Sequence, residues 1–263
     1  MIQQFRFHVS RENGESVPSY YSYRLYSALL EQMPSEIVDK MHEQGYTGIS
    51  QYLLYHRDTQ NTEWVISLLD DTIIDVLSPV LTSLKTISLH EDTLHFSLQQ
   101  MSKTLTAQSL ISQALQLPDF HQTKLYFPNA TAFKSNGKYT IFPSEELILN
   151  SLMKRWNTVF PDANLDYNEL FPILFRGIQI QDYRLSSCRF RMKNTSIPAF
   201  HGEITIHTRL SPPMMEIWKL LCLFSEYTGV GIKTTLGMGG LVWHSILRKS
   251  TKNFICRRTN PWL

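Results

Sequence analysis

The sequence has few of the residues that advertise most catalytic chemistries. Its three cysteines, Cys188, Cys222 and Cys256, are odd in number, far apart and outside any metal-binding spacing. That argues against a disulfide framework and against a cysteine-based zinc site. Nine histidines are present, yet none form the i, i+4 pair of a helical zinc box, and His90 and His95 stand five apart. No G-x-S-x-G elbow occurs, and no cysteine sits in a nucleophile motif. No apolar run approaches the roughly 20 residues that span a bilayer, and the opening "MIQQFRFHVS" alternates without a secretion signal's apolar stretch. A reduced, cytoplasmic protein without metal or membrane contact is expected. With 43% hydrophobic and 18% charged residues among 263, it has a globular profile and room for one large domain or two ordinary ones.

Glycine, sparse elsewhere, gathers in "GVGIKTTLGMGG" at 229–240. A nucleotide loop is the obvious reading, and it fails on spacing. A phosphate-binding Walker loop needs Gly directly before its Lys-Ser/Thr pair, where Ile232 precedes Lys233 here. The dinucleotide fingerprint needs a third glycine where Thr234 stands. Both motifs also follow a strand. This run follows "SPPMMEIWKLLCLFSEYTG", where Ser211 and two prolines suit a helix start and Met214, Ile217, Trp218, Leu221 and Phe224 recur at helical spacing. Gly229 lies just past the helix end, where a left-handed cap is easiest. The run therefore joins a helix to the strand "LVWHSIL", and no mononucleotide site is expected.

The net charge of +2 hides an asymmetry. Residues 1–120 hold 7 Lys/Arg against 14 Asp/Glu, net −7, while residues 121–263 hold 18 against 9, net +9. A half this basic points to a polyanion.

Both halves show one plan. In the first, Phe5, Phe7 and Val9 alternate with Gln4, Arg6 and His8, which reads as a strand. Helices over "YYSYRLYSALLEQM" and "SEIVDKMHEQG" follow, then strands at "ISQYLLY" and "EWVISLL", a helix from "DDTIID" breaking at Pro79, and a strand at "TLHFSLQ". In the second half "KLYFPNATAF" is a strand and Ser144 caps the helix "EELILNSLMKRWN". "FPILFRGIQIQDYRL", "SCRFRMK" and "GEITIHTRL" make the middle hairpin region, and the helix from Pro213 and the strand from Leu241 complete it. The expected fold is α+β: two tandem ferredoxin-like β-α-β-β-α-β modules, 1–120 and 121–263, linked through 116–124 with its Pro118.

In "CRFRMKN" the alternation places Arg189, Arg191 and Lys193 on one strand face, about 7 Å apart, close to phosphate spacing along a nucleic-acid strand. A merely solvated strand face is the alternative. Lys154, Arg155, Arg248, Lys249, Lys252, Arg257 and Arg258 add to the same basic half. His42 closes a helix whose stripe is Ile37, Val38 and Met41. The helix dipole there favours an imidazolium, which suits a base working near neutrality, although such a histidine also serves as a cap or a solvated residue.

These segments resemble, in order, the motifs of the CRISPR-associated repeat-RNA endoribonucleases, the Cas6 family of the RAMP superfamily. The glycine-rich run after its "LSP" helix is similar to that family's C-terminal glycine motif. "IVDKMHEQG" resembles its Leu/Met-His-x-x-Gly segment, "NATAFKSNGKYTIFP" with "SLMKRWN" its central motif, and "FHGEIT" its glycine turn. The resemblance implies two ferredoxin-like modules, CRISPR repeat RNA as partner and substrate, and cleavage without metal or cofactor. It leaves a homodimer and contacts with other CRISPR effector subunits open.

By this resemblance the glycine loop packs against the RNA backbone. Gly229, Gly231, Thr234, Gly237 and Gly239 permit close approach, their amides meet phosphate oxygens, and Lys233 adds a charge. The plainer alternative is a loop that packs the modules together. His42 takes the family histidine's place as general base, and Tyr26 stands roughly where many members carry a tyrosine. Arg24 is an alternative stabiliser of charge. The lysine some members carry past the histidine has no counterpart in "GYTGIS". A non-catalytic RNA-binding subunit of an effector complex would share every feature except the need for His42, and a ferredoxin-like regulatory domain would not need the +9 half.

Overall fold

Alternation decides the first strand. In β1 (Gln3–Arg11) Phe5, Phe7 and Val9 turn inward and are at most 2% exposed. The computed structural model describes residues 1–44, 46–56, 58–89, 92–192 and 195–246. After β1 come α1 (Tyr21–Leu30), α2 (Ser35–Gln44), β2 (Ile49–His56), β3 (Asn61–Leu68), α3 (Asp71–Ser83), β4 (Thr86–Leu89) and β5 (Asp92–Met101). They form one antiparallel sheet in the order β2-β3-β1-β5-β4. Without the edge strand β4, this is the ferredoxin-like order. Phe7, Trp64 and Phe96 pack edge-on and tilted over the inner face, beneath Leu25 of α1 and Leu77 of α3.

The second unit runs β6 (Gln122–Thr131), a small hairpin β7 (Phe133–Ser135) and β8 (Lys138–Thr140), α5 (Glu145–Val159), α6 (Tyr167–Gly177), β9 (Ile178–Met192), β10 (Thr195–Thr208), α7 (Pro212–Thr228) and β11 (Val242–Ile246). Its sheet order, β11-β6-β10-β9, repeats the first unit's plan. Ser144 caps α5 by accepting from the Leu147 amide. Between the units, α4 (Ala107–Gln116) packs on α7, so Leu110, Ala114 and Phe120 join the second unit's core. Lys219 of α7 ties down the segment after α4: its ammonium donates to Leu117 O (2.8 Å) and pairs with Asp119 (2.6 Å) and Glu216 (3.0 Å). Among the described residues no helix is long and apolar enough to cross a membrane.

Several local expectations change. Helix α3 does not break at Pro79 but continues to Ser83. The carbonyl that Pro79 leaves without a donor belongs to Asp75, on the exposed side of the helix, where water can replace the missing bond. Residues 171–177 are helical rather than part of the hairpin, because Asp166 accepts from the Asn168 and Glu169 amides and starts α6. The two strands expected over 178–193 are one, β9, held to β10 along its length. Gly202 makes a bulge within β10 rather than a turn. Its φ of +126° lets the chain pass close to Arg184 O, where a side chain would not fit. Lys193, Cys256 and the basic residues from Arg248 to Arg258 lie outside the described residues.

The glycine-rich run is the seam between the two units. Its 3-10 turn, Thr234–Leu236, rests on β2 and the start of α1. Gln51 donates from one amide nitrogen to Ser22 O (2.6 Å) and Thr235 O (2.8 Å), while its oxygen accepts from Trp64 Nε1 (2.7 Å). The Ser22 hydroxyl reaches Leu236 O (3.1 Å), and Thr47 Oγ1 meets Thr235 Oγ1 (2.8 Å). From the second unit, Asn129 donates to Gly237 O (2.6 Å) and accepts from the Gly240 amide (2.9 Å). On the sheet behind, Gln4 donates to Glu226 O (3.1 Å) and Ser50 to Thr228 O (2.9 Å). The outer face of the first sheet is thus partly an interface, which explains why Gln4 and Ser50 are buried.

Gly237 tests this arrangement. Its φ is +105°, and a Cβ there would overlap the Ser22 hydroxyl. Gly237→Val should cost about 1–2 kcal/mol for left-handed backbone and about 1–3 for overpacking, lowering Tm by roughly 4–20 °C in a chain of this size. Gly14, at φ +74° with nothing within 4 Å, is the control. Gly14→Ala should lose about 1 kcal/mol at most. Equal melting temperatures for the two variants in thermal unfolding would remove the loop from the seam.

Candidate functional site

His42 sits in the last turn of α2, exposed, with no hydrogen bond or ion pair among the described residues. Met41 beside it is buried, while Ile37 and Val38 are half-buried, so the expected stripe anchors the helix and leaves the imidazole outside. Four residues on, the Tyr46 hydroxyl donates to Leu69 O (3.2 Å), and Thr47 meets Thr235. The chain therefore leads from His42 directly to the glycine loop. Burial, with a smaller contribution from Asp70, raises the Tyr46 phenol so that it stays protonated.

A cleft of about 440 Å³ opens there, lined by Tyr46, Thr47, Ser151, Lys154, Arg155 and Lys233, with no carboxylate among its lining residues. Arg155 organises its wall. The guanidinium donates to Gly231 O (2.7 Å), Thr234 Oγ1 (3.0 Å) and Thr228 O (3.4 Å), while Ser151 accepts from the Gly231 amide (2.9 Å). Desolvation pushes Arg155 down to about 10, still charged at neutral pH. Lys154 and Lys233 are exposed and unpaired among the described residues; Lys233 holds a left-handed backbone at φ +54°. Three cations without an acid between them form a site that attracts anions.

The glycines contribute shape more than donors. The Gly229, Gly231, Gly237 and Gly239 amides donate to Ser225 O, Ser151 Oγ, Thr234 O and Ala130 O. Gly229, Gly237, Gly239 and Thr234 are buried, leaving Lys233 and half-buried Gly231 nearest to solvent. Any backbone phosphate reaching this loop would meet the charges of Lys233, Lys154 and Arg155 before these amides.

The other candidates divide between two places. Tyr26 is half-buried among the first unit's core, and desolvation raises its phenol above the ordinary tyrosine value. Arg24, two residues earlier, turns elsewhere. It lies over the rings of Tyr20 (5.6 Å) and Tyr21 (5.0 Å) and lines a second cleft that Arg191 also lines. On β9, Arg189 and Arg191 are exposed, while Phe190 packs with Ile197, Ala199 and Met238 and Cys188 and Met192 flank them. The sequence alternation holds in three dimensions, and the underside of this strand rests on the glycine loop. Sequence reasoning treated Arg155 as one more basic residue and passed over Gln51, Ser22, Tyr46 and Thr47. The tract "SLMKRWN" was the available signal for Arg155, since Trp156 and Met153 are fully buried and fix the side of α5 from which Arg155 reaches the loop.

Residues 125–241 match the family described as CRISPR-associated endoribonuclease Cas6. A CRISPR-associated endoribonuclease Cas6 from Streptococcus thermophilus is 31% identical over 219 residues, covering 83% of this chain and 89% of that protein. One from Mycobacterium tuberculosis is 25% identical over 221 residues, covering 82% and 69%. Thermus thermophilus Cas6 superposes with a TM-score of 0.70 at 23% identity over 92% of this chain and 98% of that one. A Cas6 product complex gives 0.74 at 22% identity over 93% and 100%. At those identities the two structures bear on the fold, and both agree with tandem ferredoxin-like units. Taken with the 31% relative, these observations establish that the chain belongs to the CRISPR-associated endoribonuclease Cas6 family.

Proposed function

We propose that this protein cuts CRISPR precursor transcripts within their repeats, without metal, and that His42 is the general base. The observation that carries this reading is an unpartnered imidazole at a helix C-terminus, joined by a short segment to a cleft of three cations and no carboxylate. A ribose 2′-hydroxyl beside the cut gives its proton to His42 and attacks the adjacent phosphorus. The P–O5′ bond breaks and the leaving 5′-oxygen takes a proton from a second donor or from water, so the products are a 2′,3′-cyclic phosphate (or, after its hydrolysis, a 3′-phosphate) and a 5′-hydroxyl. Arg155, Lys154 and Lys233 would offset the charge that builds on the phosphoryl oxygens. Tyr26, protonated at any working pH, would act as a hydrogen-bond donor rather than a base. Arg189, Arg191 and Lys193 would hold the backbone away from the cut. A Cas6-RT-Cas1–Cas2 assembly among the solved relatives, of which this chain spans 48% of the matched chain, supports other CRISPR proteins as partners.

His42→Ala should lower the single-turnover rate by roughly 10²–10⁴-fold with affinity for uncut repeat RNA nearly unchanged. A 2′-deoxy residue on the 5′ side of the cut should abolish cleavage by the unmutated protein, and EDTA should leave the rate unaffected. Full-speed cutting by His42→Ala would move the base elsewhere, and binding without cutting by the unmutated protein would favour the non-catalytic subunit.

Charge reversal at Arg189 and Arg191 tests the backbone row. The slope of log K against log salt should become shallower by roughly 1.5 for the two lost phosphate contacts, whatever the RNA sequence. An unchanged slope in a salt titration would take β9 out of the interface.

A further inference from the structure

Arg24 and Arg191 come from different units and different ends of the chain, yet both line a cleft of about 630 Å³. On one side are Tyr20, Tyr23 and Arg24 of the α1 region; on the others are Ser88 of β4 and Arg191 at the end of β9. It shares no lining residue with the cleft of Tyr46, Arg155 and Lys233 and is separate from it. Its strand wall comes from β4, the one strand of the first sheet outside the ferredoxin-like plan.

We infer that this cleft is a nucleotide-stacking subsite, which holds one or two unpaired nucleotides of the repeat RNA next to its cut segment. The inference rests on the RNA-cleaving function proposed above. Three observations carry it. Neither Arg24 nor Arg191 forms an ion pair among the described residues, so the cleft gathers two guanidinium groups against the single carboxylate of Glu31. Two cations lining one cleft favour a polyanion that passes between them. The aromatic wall is also braced from behind. Tyr21 donates to Asp92, which is paired with Arg11 (2.7 Å), Tyr20 packs on the Tyr21 ring (5.1 Å), and the Arg24 guanidinium lies over both rings. The half-buried Tyr23 ring has no aromatic or cationic neighbour of its own among the described residues. A planar base stacks on such tyrosine or arginine faces whatever its sequence. Third, the volume lies within the roughly 300–1,000 Å³ of pockets that enclose a small molecule. That volume suits one or two nucleotides. Glu31 stands at the same cleft and would turn a second backbone phosphate away, which limits the occupant to a short stretch.

The test uses full-length protein and a repeat RNA blocked by a 2′-deoxy residue at the cut, with its unpaired flanks present or trimmed. Tyr23→Ala should weaken binding of the flanked RNA by roughly 5- to 150-fold and leave the trimmed RNA unaffected. Tyr23→Phe should restore affinity, since the ring and not the hydroxyl is used. 2-Aminopurine placed at successive flank positions should be quenched at one or two of them by the unmutated protein, and not by Tyr23→Ala. Tyr55→Ala, which removes an exposed tyrosine remote from the cleft, should change none of these values. Thermal unfolding of Tyr23→Ala checks that the variant is folded. Equal affinity of Tyr23→Ala and unmutated protein for the flanked RNA overturns the subsite and leaves the cleavage reading intact. An equal loss on flanked and trimmed RNA also overturns it, since the ring would then touch the paired segment. Unmutated protein that binds neither RNA overturns the cleavage reading itself.

Discussion

One buried amide joins the parts of this protein. Gln51, 1% exposed, uses both hydrogens and its oxygen at once: to the start of α1, to the glycine loop, and to the indole of the core tryptophan Trp64. An amide with all three bonds made inside a protein tolerates little displacement, because any shift strands a donor or acceptor away from water. Core packing of the first unit, the position of its first helix and the seating of the second unit's loop are therefore set together. His42 and Ser22, on different helices, inherit their positions relative to that loop from this one connection and from the neighbouring Thr47–Thr235 contact.

Electrostatics follows from the same seam. The first unit is acidic and the second basic, and the join places Arg155, Lys154 and Lys233 against a stretch of the first unit, Tyr46 to Ile49, that has no charge. Several acids of the first unit are used elsewhere: Glu63 on Arg6, Asp92 on Arg11, and Asp70 on the amides that begin α3. Cations left without acids inside a fold are costly unless a ligand supplies the counter-charge. The structure thus concentrates unmet positive charge where the two units meet.

Much of this was legible in the residues. Alternation found β1 and the charged face of β9, because a strand with one buried face must alternate. Ser144 and the prolines at 212–213 marked two helix starts through their own chemistry. Where sequence reasoning failed, long-range packing had decided the outcome. Pro79 forbids one hydrogen bond, but it does not reveal that the orphaned carbonyl faces solvent. Leu170, Phe171 and Leu174 suit a strand as well as a helix until Asp166 begins α6. Gln4 looks like a surface residue in a one-dimensional pattern, yet the second unit covers it, and Gln51 interrupts an apolar face to bond Trp64, Ser22 and the glycine loop. The glycine run was recognisable as a motif, but the use of its amides was hidden in partners 80 to more than 100 residues distant, such as Ser151 and Ala130.

The β9–β10 ribbon has a mechanical consequence. Residues 195–199 pair with β9 alone, since β6 joins β10 only from Phe200 onward, and the ribbon is bent at the Gly202 bulge. It is a lever whose free arm carries Arg189 and Arg191 on top and presses Phe190 and Ile197 onto Met238 beneath. The contacts run on without a break from that arm to the glycine loop, and from the loop through Gln51 to Trp64 in the core of the opposite unit, so displacing the arm strains the joint between the units.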